Sequence, residues 1–218
     1  MSRRISGVSG PHAEATLVTT GAPVAAAEVA VVPVHGRGGT AEGIVRLADE
    51  FYRSGATLLA PGAVRSTWFP AAHEAPVSAN EPAPTSAADC VASAVDVARD
   101  AGVPRERVVL VGVSQGGAVV ASAALPGEGL DSCEAETVEG VERDGDGPLA
   151  GTLIALVSSE DDPYVPPDRV RATARVFERA GAVVNLRIDP GDGHGLSDAT
   201  MDRIGERIDA LLVRRRRP

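Results

Sequence analysis

The chain has 218 residues, 44% of them hydrophobic, so it is long enough to bury a sizeable core in one domain. Its 30 acidic residues outnumber 21 basic residues for a net charge of −9, a balance that argues against a general binder of nucleic-acid phosphates. The 2 cysteines are too few for a disulfide framework or a four-ligand zinc site, and no apolar run reaches the roughly 18 residues of a membrane helix.

The first residues predict neither a signal peptide nor a fixed structure. Arginines occur early, but no hydrophobic segment follows them, so we expect a cytoplasmic protein, with residues 1–12 mobile. All 21 basic residues are arginine. Two interpretations of this acidic, lysine-free composition stay open: GC-rich codon usage with a solvated surface, or adaptation to high salt.

Hydrophobic periodicity predicts strands and helices that alternate along the chain. The predicted strands are 28–34, 56–60, 108–113, 152–157 and 183–188. The predicted helices are 40–54 with Thr40 as its N-cap, 86–101, a short one ending near 124, 167–180 and 200–212. A long ordered loop containing Trp68 extends from 61 to about 85. This alternation predicts one α/β domain over 1–218, with a mostly parallel sheet covered by helices on both faces.

In a parallel sheet, ligands bind beyond the carboxyl ends of the strands, so the loops at that edge are the candidate site. The strand at 108–113 leads into Gly112-Val113-Ser114-Gln115-Gly116, a G-x-S-x-G pattern between a strand and a helix. Such a turn presents the serine hydroxyl at a helix N-terminus, where developing negative charge is stabilised. Ser114 is therefore the candidate nucleophile.

The strand at 28–34 ends at a glycine-rich loop, His35-Gly36-Arg37-Gly38-Gly39. It lacks the Lys-Ser/Thr of a phosphate-binding P-loop, so we interpret it as half of an oxyanion hole. The backbone N–H of Arg37 would act there together with that of Gln115. We expect His35 to brace this loop rather than to act as a base.

The last two strands lead into loops that carry an acid and a histidine. Acidic candidates after 152–157 are Glu160, Asp161, Asp162 and Asp168. Of the 4 histidines, only His194 lies on a glycine-flanked loop after a late strand. Serine, acid and histidine thus follow the chain order of α/β-hydrolases.

Five segments resemble the phospholipase/carboxylesterase family of α/β-hydrolases, which includes acyl-protein thioesterases. They are V-H-G-R-G-G-T-A-E-G-I at 34–44, S-T-W-F-P at 66–70, G-V-S-Q-G-G at 112–117, D-P-Y-V-P at 162–166 and G-H-G at 193–195. The resemblance implies an α/β-hydrolase fold with Ser114 as nucleophile and His194 as general base. It selects Asp162 as the acid, because the family's acid directly precedes the proline. It also implies a substrate pocket at Gly36 and Trp68.

The chain departs from the family at 126–148, a shortened, irregular and acidic segment with a weak strand pattern only at 133–141. The expected activity is hydrolysis of small or short-chain carboxylic esters through an acyl-enzyme, without metal or organic cofactor. The alternatives are a thioesterase or lysophospholipase for longer acyl chains, or a non-catalytic binding protein with this fold.

Partners other than a small ester are weakly indicated. A cation site at 142–146 is a minor alternative to solvated acidic surface, and we interpret the basic tail at 214–218 as a frayed helix end. We expect no nucleic-acid partner and no membrane span, and the sequence leaves a homodimer open.

Overall fold

The protein is described here by a computed structural model that covers residues 1–71, 77–125, 137–139, 147–191 and 193–214. The strands are β1 (Ser2–Arg4), β2 (Thr16–Gly21), β3 (Val29–Val34), β4 (Ala56–Gly62), β5 (Val108–Gly112), β6 (Thr137–Glu139), β7 (Leu153–Ser159) and β8 (Val183–Asp189). The helices are α1 (Ala41–Ala48), α2 (Ala83–Asp100), α3 (Gln115–Ala124), α4 (Pro167–Arg179) and α5 (Asp198–Arg214).

The strands of these ranges form one mixed sheet in the order β1-β2-β4-β3-β5-β6-β7-β8. Strand β3 is parallel to β4 and β5, and β7 is parallel to β8. The other pairings are antiparallel, because β2 and β6 run against their neighbours. The expected mostly parallel sheet is therefore corrected to a mixed one, since periodicity identifies a strand but not its direction.

Helices cover both faces of the sheet, as predicted. On one face, alternate β3 residues Ala30, Val32 and Val34 belong to a core cluster that includes buried residues of α2, α3 and α4. On the other face, Val29 and Val31 pack in a second cluster with residues of α1 and α5. The alternation follows from the period of two in a strand, and it explains why every residue of β3 is buried.

The N-terminal segment differs from its prediction. Strand β1 pairs with β2, in the register Ser2↔Val18 to Arg4↔Thr16, and the imidazole of His12 is only 2% exposed. The expectation that residues 1–12 are mobile is therefore not supported, and β1 and β2 are strands that the sequence did not predict. The exposed Ser2–Arg4 strand carries no apolar alternation, so only its pairing with β2 makes it a strand.

The remaining predicted elements are found with ends shifted by at most three residues, except that α1 ends at Ala48, six residues before the predicted end at 54. Thr40 caps α1 as predicted, because its hydroxyl accepts the backbone N–H of Gly43 at 3.0 Å. Strand β6 lies within the weak strand pattern at 133–141. The rest of the proposed irregular segment up to residue 146 lies outside the described residues, as do His73, the proposed cation site at 142–146 and residues 215–218 of the basic tail. Within the described ranges, no helix is both long and apolar enough to cross a bilayer.

Candidate active site

Four predicted site loops leave the sheet at the same edge. Strands β3 and β5 are parallel, and β7 has the same direction as β5 because both are antiparallel to β6. Strand β8 is parallel to β7, so all of these strands end on one side. Their carboxyl ends lead to His35, Ser114, Asp162 and His194 respectively. The topology thus collects residues from distant parts of the chain at one edge.

Ser114 lies in a strained turn between β5 and α3. Its φ of 54° and ψ of −126° are unusual for a residue with a side chain. The flanking glycines are required by close backbone contacts: a Cβ on Gly116 would lie 2.2 Å from the Val34 carbonyl oxygen, and one on Gly112 would lie 2.5 Å from that of Gly116. The G-x-S-x-G pattern is therefore explained by packing of this turn, which leaves Ser114 partly exposed.

The loop after β3 lies directly against this turn. A Cβ on Gly36 would be 3.2 Å from the Cβ of Ser114, so this part of the predicted pocket is beside the serine. On this loop, the N–H groups of Gly38 and Gly39 donate to Ser66 and Gly36 carbonyls. None of the hydrogen bonds in the described ranges uses the backbone N–H of Arg37.

The backbone N–H of Gln115 is similarly available. Gln115 is the first residue of α3, and the first N–H groups of a helix have no partner within it. Hydrogen bonds in the described part of the chain use the N–H groups of Gly116 and Gly117 but not that of Gln115. Gln115 follows Ser114 in the chain, and Arg37 follows Gly36, which lies against Ser114, so the two unbonded N–H groups remain the candidate donors of an oxyanion hole.

Asp162 and His194 form a direct side-chain pair. Nδ1 of His194 lies 2.9 Å from Oδ2 of Asp162 and 3.2 Å from Oδ1. The carboxylate side chain is 5% exposed and the imidazole 24%. An anionic acceptor at this distance favours the tautomer with the proton on Nδ1, which leaves Nε2 as a proton acceptor.

The same carboxylate is fixed by its own loop. Oδ1 of Asp162 accepts the backbone N–H groups of Tyr164 at 2.8 Å and Val165 at 2.9 Å. Burial alone raises the pKa of Asp162, but the hydrogen bonds from His194 and from these two N–H groups outweigh it, so the pKa lies below its usual value. Asp162 is therefore an anion that holds the imidazole in one orientation.

The other acids near this loop do not share that position. Asp161 is exposed, and the side chain of Asp168 is 97% exposed and pairs with Arg171. In the described ranges, no cluster of three or more His, Cys, Asp or Glu side chains has the arrangement of a metal site. The sequence analysis did not single out Tyr164. The centroid of its phenol ring lies 4.7 Å from that of the His194 ring.

His35 braces its loop, as predicted. Its Nε2 accepts the Ala63 backbone N–H at 3.1 Å, so the proton lies on Nδ1, which donates to the Gly36 carbonyl at 2.8 Å. Burial lowers the pKa of His35. Both nitrogens of a neutral ring are thus occupied by backbone groups, and none is left to act as a base.

Trp68 differs from its predicted role as a pocket wall. Its side chain is 0% exposed, and its indole N–H donates to the His35 carbonyl at 2.8 Å. It belongs to a segment that we call the Trp68 loop, residues 63–71. Because no part of the ring reaches the surface, Trp68 supports the loop of His35 from inside instead of contacting a ligand.

His12 is a buried support of the Trp68 loop that sequence analysis missed. Its Nε2 lies 3.0 Å from the Trp68 carbonyl oxygen, and its Nδ1 accepts the Val64 backbone N–H at 3.3 Å. The His12 ring also contacts the Trp68 ring, with the centroids 5.2 Å apart. Burial lowers the pKa of His12, as it does for His35. The partners are more than 50 residues away in sequence, so no local pattern could have revealed them.

Comparison with known proteins gives a consistent result. No family model and no curated protein matches the chain. Among solved structures, a phospholipase/carboxylesterase from Dyadobacter fermentans is 29% identical, with a TM-score of 0.75 over 88% of this chain and 95% of that one. The chain is similar to phospholipase/carboxylesterase hydrolases. The resemblance predicted from the sequence is confirmed.

More distant structures share the fold. A Bacillus cereus carboxylesterase is 18% identical, with a TM-score of 0.65 over 89% of this chain and 93% of that one. Thermogutta terrifontis esterase 2, solved in a form phosphorylated by paraoxon, is 17% identical, with a TM-score of 0.59 over 97% and 91%. These similarities show that the chain shares the fold of these two structures.

Proposed function

We propose that the protein is a serine esterase that hydrolyses small or short-chain carboxylic esters through an acyl-enzyme. The proposal rests chiefly on the pairing of Asp162 with Nδ1 of His194, at the sheet edge that also carries the strained Ser114 turn. A binding protein would have no need of an anion that fixes an imidazole tautomer at the same sheet edge as such a turn.

Each residue has a defined part in the reaction. Nε2 of His194 takes the proton of Ser114 as its Oγ attacks the ester carbonyl carbon. The C=O π electrons move onto oxygen, and the backbone N–H groups of Arg37 and Gln115 stabilise this oxyanion. The anion of Asp162 stabilises the imidazolium that forms.

Collapse of this intermediate breaks the bond to the alcohol, which leaves with the proton from His194. Water then enters, gives a proton to Nε2 and attacks the acyl carbon. As the second oxyanion collapses, the bond between the acyl carbon and Oγ of Ser114 breaks, His194 returns the proton to Oγ, and the carboxylic acid leaves. The cycle needs no metal or organic cofactor, because each proton and charge has a partner in the protein.

Two features of the sequence and the structure support a short acyl chain. Aromatic residues make up only 3% of the sequence, and the tryptophan that the resemblance assigned to the pocket is fully buried. Long acyl chains need a continuous apolar groove to remove them from water, at about 0.8 kcal/mol for each buried methylene. We therefore expect activity to fall as the acyl chain is lengthened.

The test is hydrolysis of p-nitrophenyl esters from acetate to palmitate by the wild type and by Ser114→Ala, together with labelling by a fluorophosphonate. We expect labelling and turnover of the short esters by the wild type, and loss of both in the variant. A wild type that cleaves no ester and takes up no probe would reject the esterase and favour the binding protein. A preference for the longest esters would favour the thioesterase or lysophospholipase alternative.

A further inference from the structure

The side-chain amide of Gln115 links the residue after Ser114 to the Trp68 loop. Its Oε1 accepts the backbone N–H of Trp68 at 2.9 Å, and its Nε2 donates to the Phe69 carbonyl at 3.1 Å. Gln115 is 7% exposed, Phe69 6% and Trp68 0%, so both bonds are shielded from water. The amide thus satisfies two backbone groups of one loop, and both would be left buried without partners if it were removed.

The Trp68 loop also contacts the loop that follows β3. The Ser66 carbonyl accepts the backbone N–H of Gly38 at 2.7 Å, and the Trp68 indole N–H donates to the His35 carbonyl at 2.8 Å. Arg37 lies between His35 and Gly38 in the sequence, and its guanidinium donates a hydrogen bond to the Ala71 carbonyl. The backbone on either side of Arg37 is therefore held by the same segment that Gln115 binds.

These contacts connect the two proposed oxyanion donors through one loop. The N–H of Gln115 belongs to the start of α3, and the N–H of Arg37 belongs to the loop after β3. The Trp68 loop is hydrogen-bonded to both. Oxyanion donors are effective only when both lie about 2.7–3.1 Å from the developing charge, so their separation must be fixed before the reaction begins.

We propose that Gln115 is a positioning residue whose side chain, through the Trp68 loop, sets the separation of the two oxyanion donors. This inference rests on the proposed esterase function. The side chain is separate in its role from the backbone N–H of the same residue, which every amino acid except proline supplies. A substitution that removes only the amide should therefore keep the donor but loosen its placement.

The fluorescence of Trp68 reports whether the Gln115 amide holds the Trp68 loop in place. Trp68 is the single tryptophan of the sequence, and the residue is 0% exposed. We expect Gln115→Met, which has a similar length but no hydrogen-bonding amide, to shift Trp68 emission to longer wavelength and to increase its quenching by acrylamide. The matched control is Thr57→Val, because the Thr57 side chain is also 0% exposed and gives one hydrogen bond, to the Thr20 carbonyl, near the other edge of the sheet.

Steady-state kinetics report whether the Trp68 loop in turn positions the two oxyanion donors. We expect Gln115→Met to lower kcat for p-nitrophenyl acetate by about tenfold to a hundredfold, with KM within about twofold of the wild type. The reason is that displaced oxyanion donors stabilise the transition state less but do not change substrate binding. Thr57→Val should lower the melting temperature but leave kcat within about twofold of the wild type. A merely structural role of Gln115 would give the same pattern as Thr57→Val.

A second variant covers the case in which Gln115→Met does not fold. Gln115→Glu keeps an acceptor for the Trp68 N–H, but it can donate to the Phe69 carbonyl only when its carboxyl is protonated. Relative to the wild type at each pH, its kcat should rise as the pH is lowered. A ratio that does not change with pH would count against the inference.

The outcomes separate this inference from the proposed function. It is overturned if Trp68 emission and quenching are unchanged in a folded Gln115→Met, or if they change while kcat stays within about twofold of the wild type. Failure of the esterase proposal would appear earlier, as a wild type that neither hydrolyses an ester nor reacts with the fluorophosphonate. An active wild type with an unaffected Gln115→Met would reject the inference alone.

Discussion

Trp68 donates its indole N–H to the carbonyl oxygen of His35 at 2.8 Å, and the two rings lie with their centroids 5.1 Å apart. The loop that carries the proposed oxyanion donor Arg37 begins at His35, and the buried Trp68 ring holds the carbonyl of that residue. The same ring also contacts His12, with the centroids 5.2 Å apart. Two imidazoles thus contact one indole under the site, and the ring nitrogens of all three are bonded to backbone groups.

Trp68→Phe removes the indole hydrogen bond and shrinks the ring, while it keeps an aromatic side chain in the core. The buried His35 carbonyl then loses its donor, and the smaller ring leaves a space, so we expect the free energy of unfolding to fall by about 3 kcal/mol. Urea unfolding followed by circular dichroism measures this without relying on the tryptophan. A loss below about 0.5 kcal/mol would show that the hydrogen bond and the packing contribute little.

The two buried imidazoles predict a pH dependence of stability. Burial lowers the pKa of both His12 and His35 in the folded protein, whereas in the unfolded chain a histidine titrates near about 6.5. Below that pH, the unfolded chain takes up protons that the folded protein does not. The free energy of unfolding should therefore fall as the pH drops below about 6.5, and the decrease should end at the lowered folded pKa values.

Urea unfolding at a series of pH values tests this dependence. The histidine contribution is constant above about pH 7, where both states are neutral. The lowered pKa of Asp162 acts in a different window, because its stabilisation is present above the unfolded value of about 3.9 and is lost only as the pH falls through its folded pKa. We expect His35→Gln, which has no titrating group, to show a smaller decrease between about pH 7 and 5. An equal decrease would assign the effect to other groups.

The choice between neighbouring acids can be tested by Asp162→Asn and Asp161→Asn. The neutral amide at 162 can still accept the Tyr164 and Val165 N–H groups, but it cannot stabilise an imidazolium. We therefore expect kcat to fall by about 10³- to 10⁴-fold. Asp161 is exposed, and its substitution should change kcat by less than about twofold. A large loss in Asp161→Asn, with little in Asp162→Asn, would reverse the assignment of the acid.

The closeness of Gly36 to the serine predicts the effect of one added methyl group. In Gly36→Ala, the new Cβ would meet both the Ser114 Cβ and the Val113 carbonyl oxygen at 3.2 Å, so the two loops must separate by a few tenths of an ångström. We expect about a tenfold fall in kcat, since oxyanion donors lose effect when they are displaced.

Gly43→Ala is the control for this substitution. Gly43 lies in α1, where an added methyl meets only the Thr40 hydroxyl, at 3.3 Å, and alanine has the better helix propensity. It should leave kcat unchanged. If Gly36→Ala retains full activity, the loop after β3 either adjusts freely or does not supply the oxyanion donor.

Much of the fold was predictable because local periodicity is written directly in the sequence. The apolar runs of β3 and β5, and the Thr40 cap of α1, were identified from residue type alone. Strands β1 and β2 were not identified. The three polar residues of β1, Ser2–Arg4, have no pattern to detect and form a strand only by pairing. The direction of β6 was also beyond local analysis, because a strand has the same periodicity in either orientation.

For the site, the sequence by itself determined the chain order of serine, acid and histidine and the glycines that the Ser114 turn requires. Among four acids within nine residues, it could not distinguish by spacing the one that pairs with His194; the family resemblance made that choice. Only the tertiary structure brought Asp162 to 2.9 Å from His194, buried Trp68 in contact with His12 and His35, and joined Gln115 to the Trp68 loop. These contacts depend on burial and on hydrogen bonds between residues that are distant in the chain, and such partners are decided by how the sheet and helices pack.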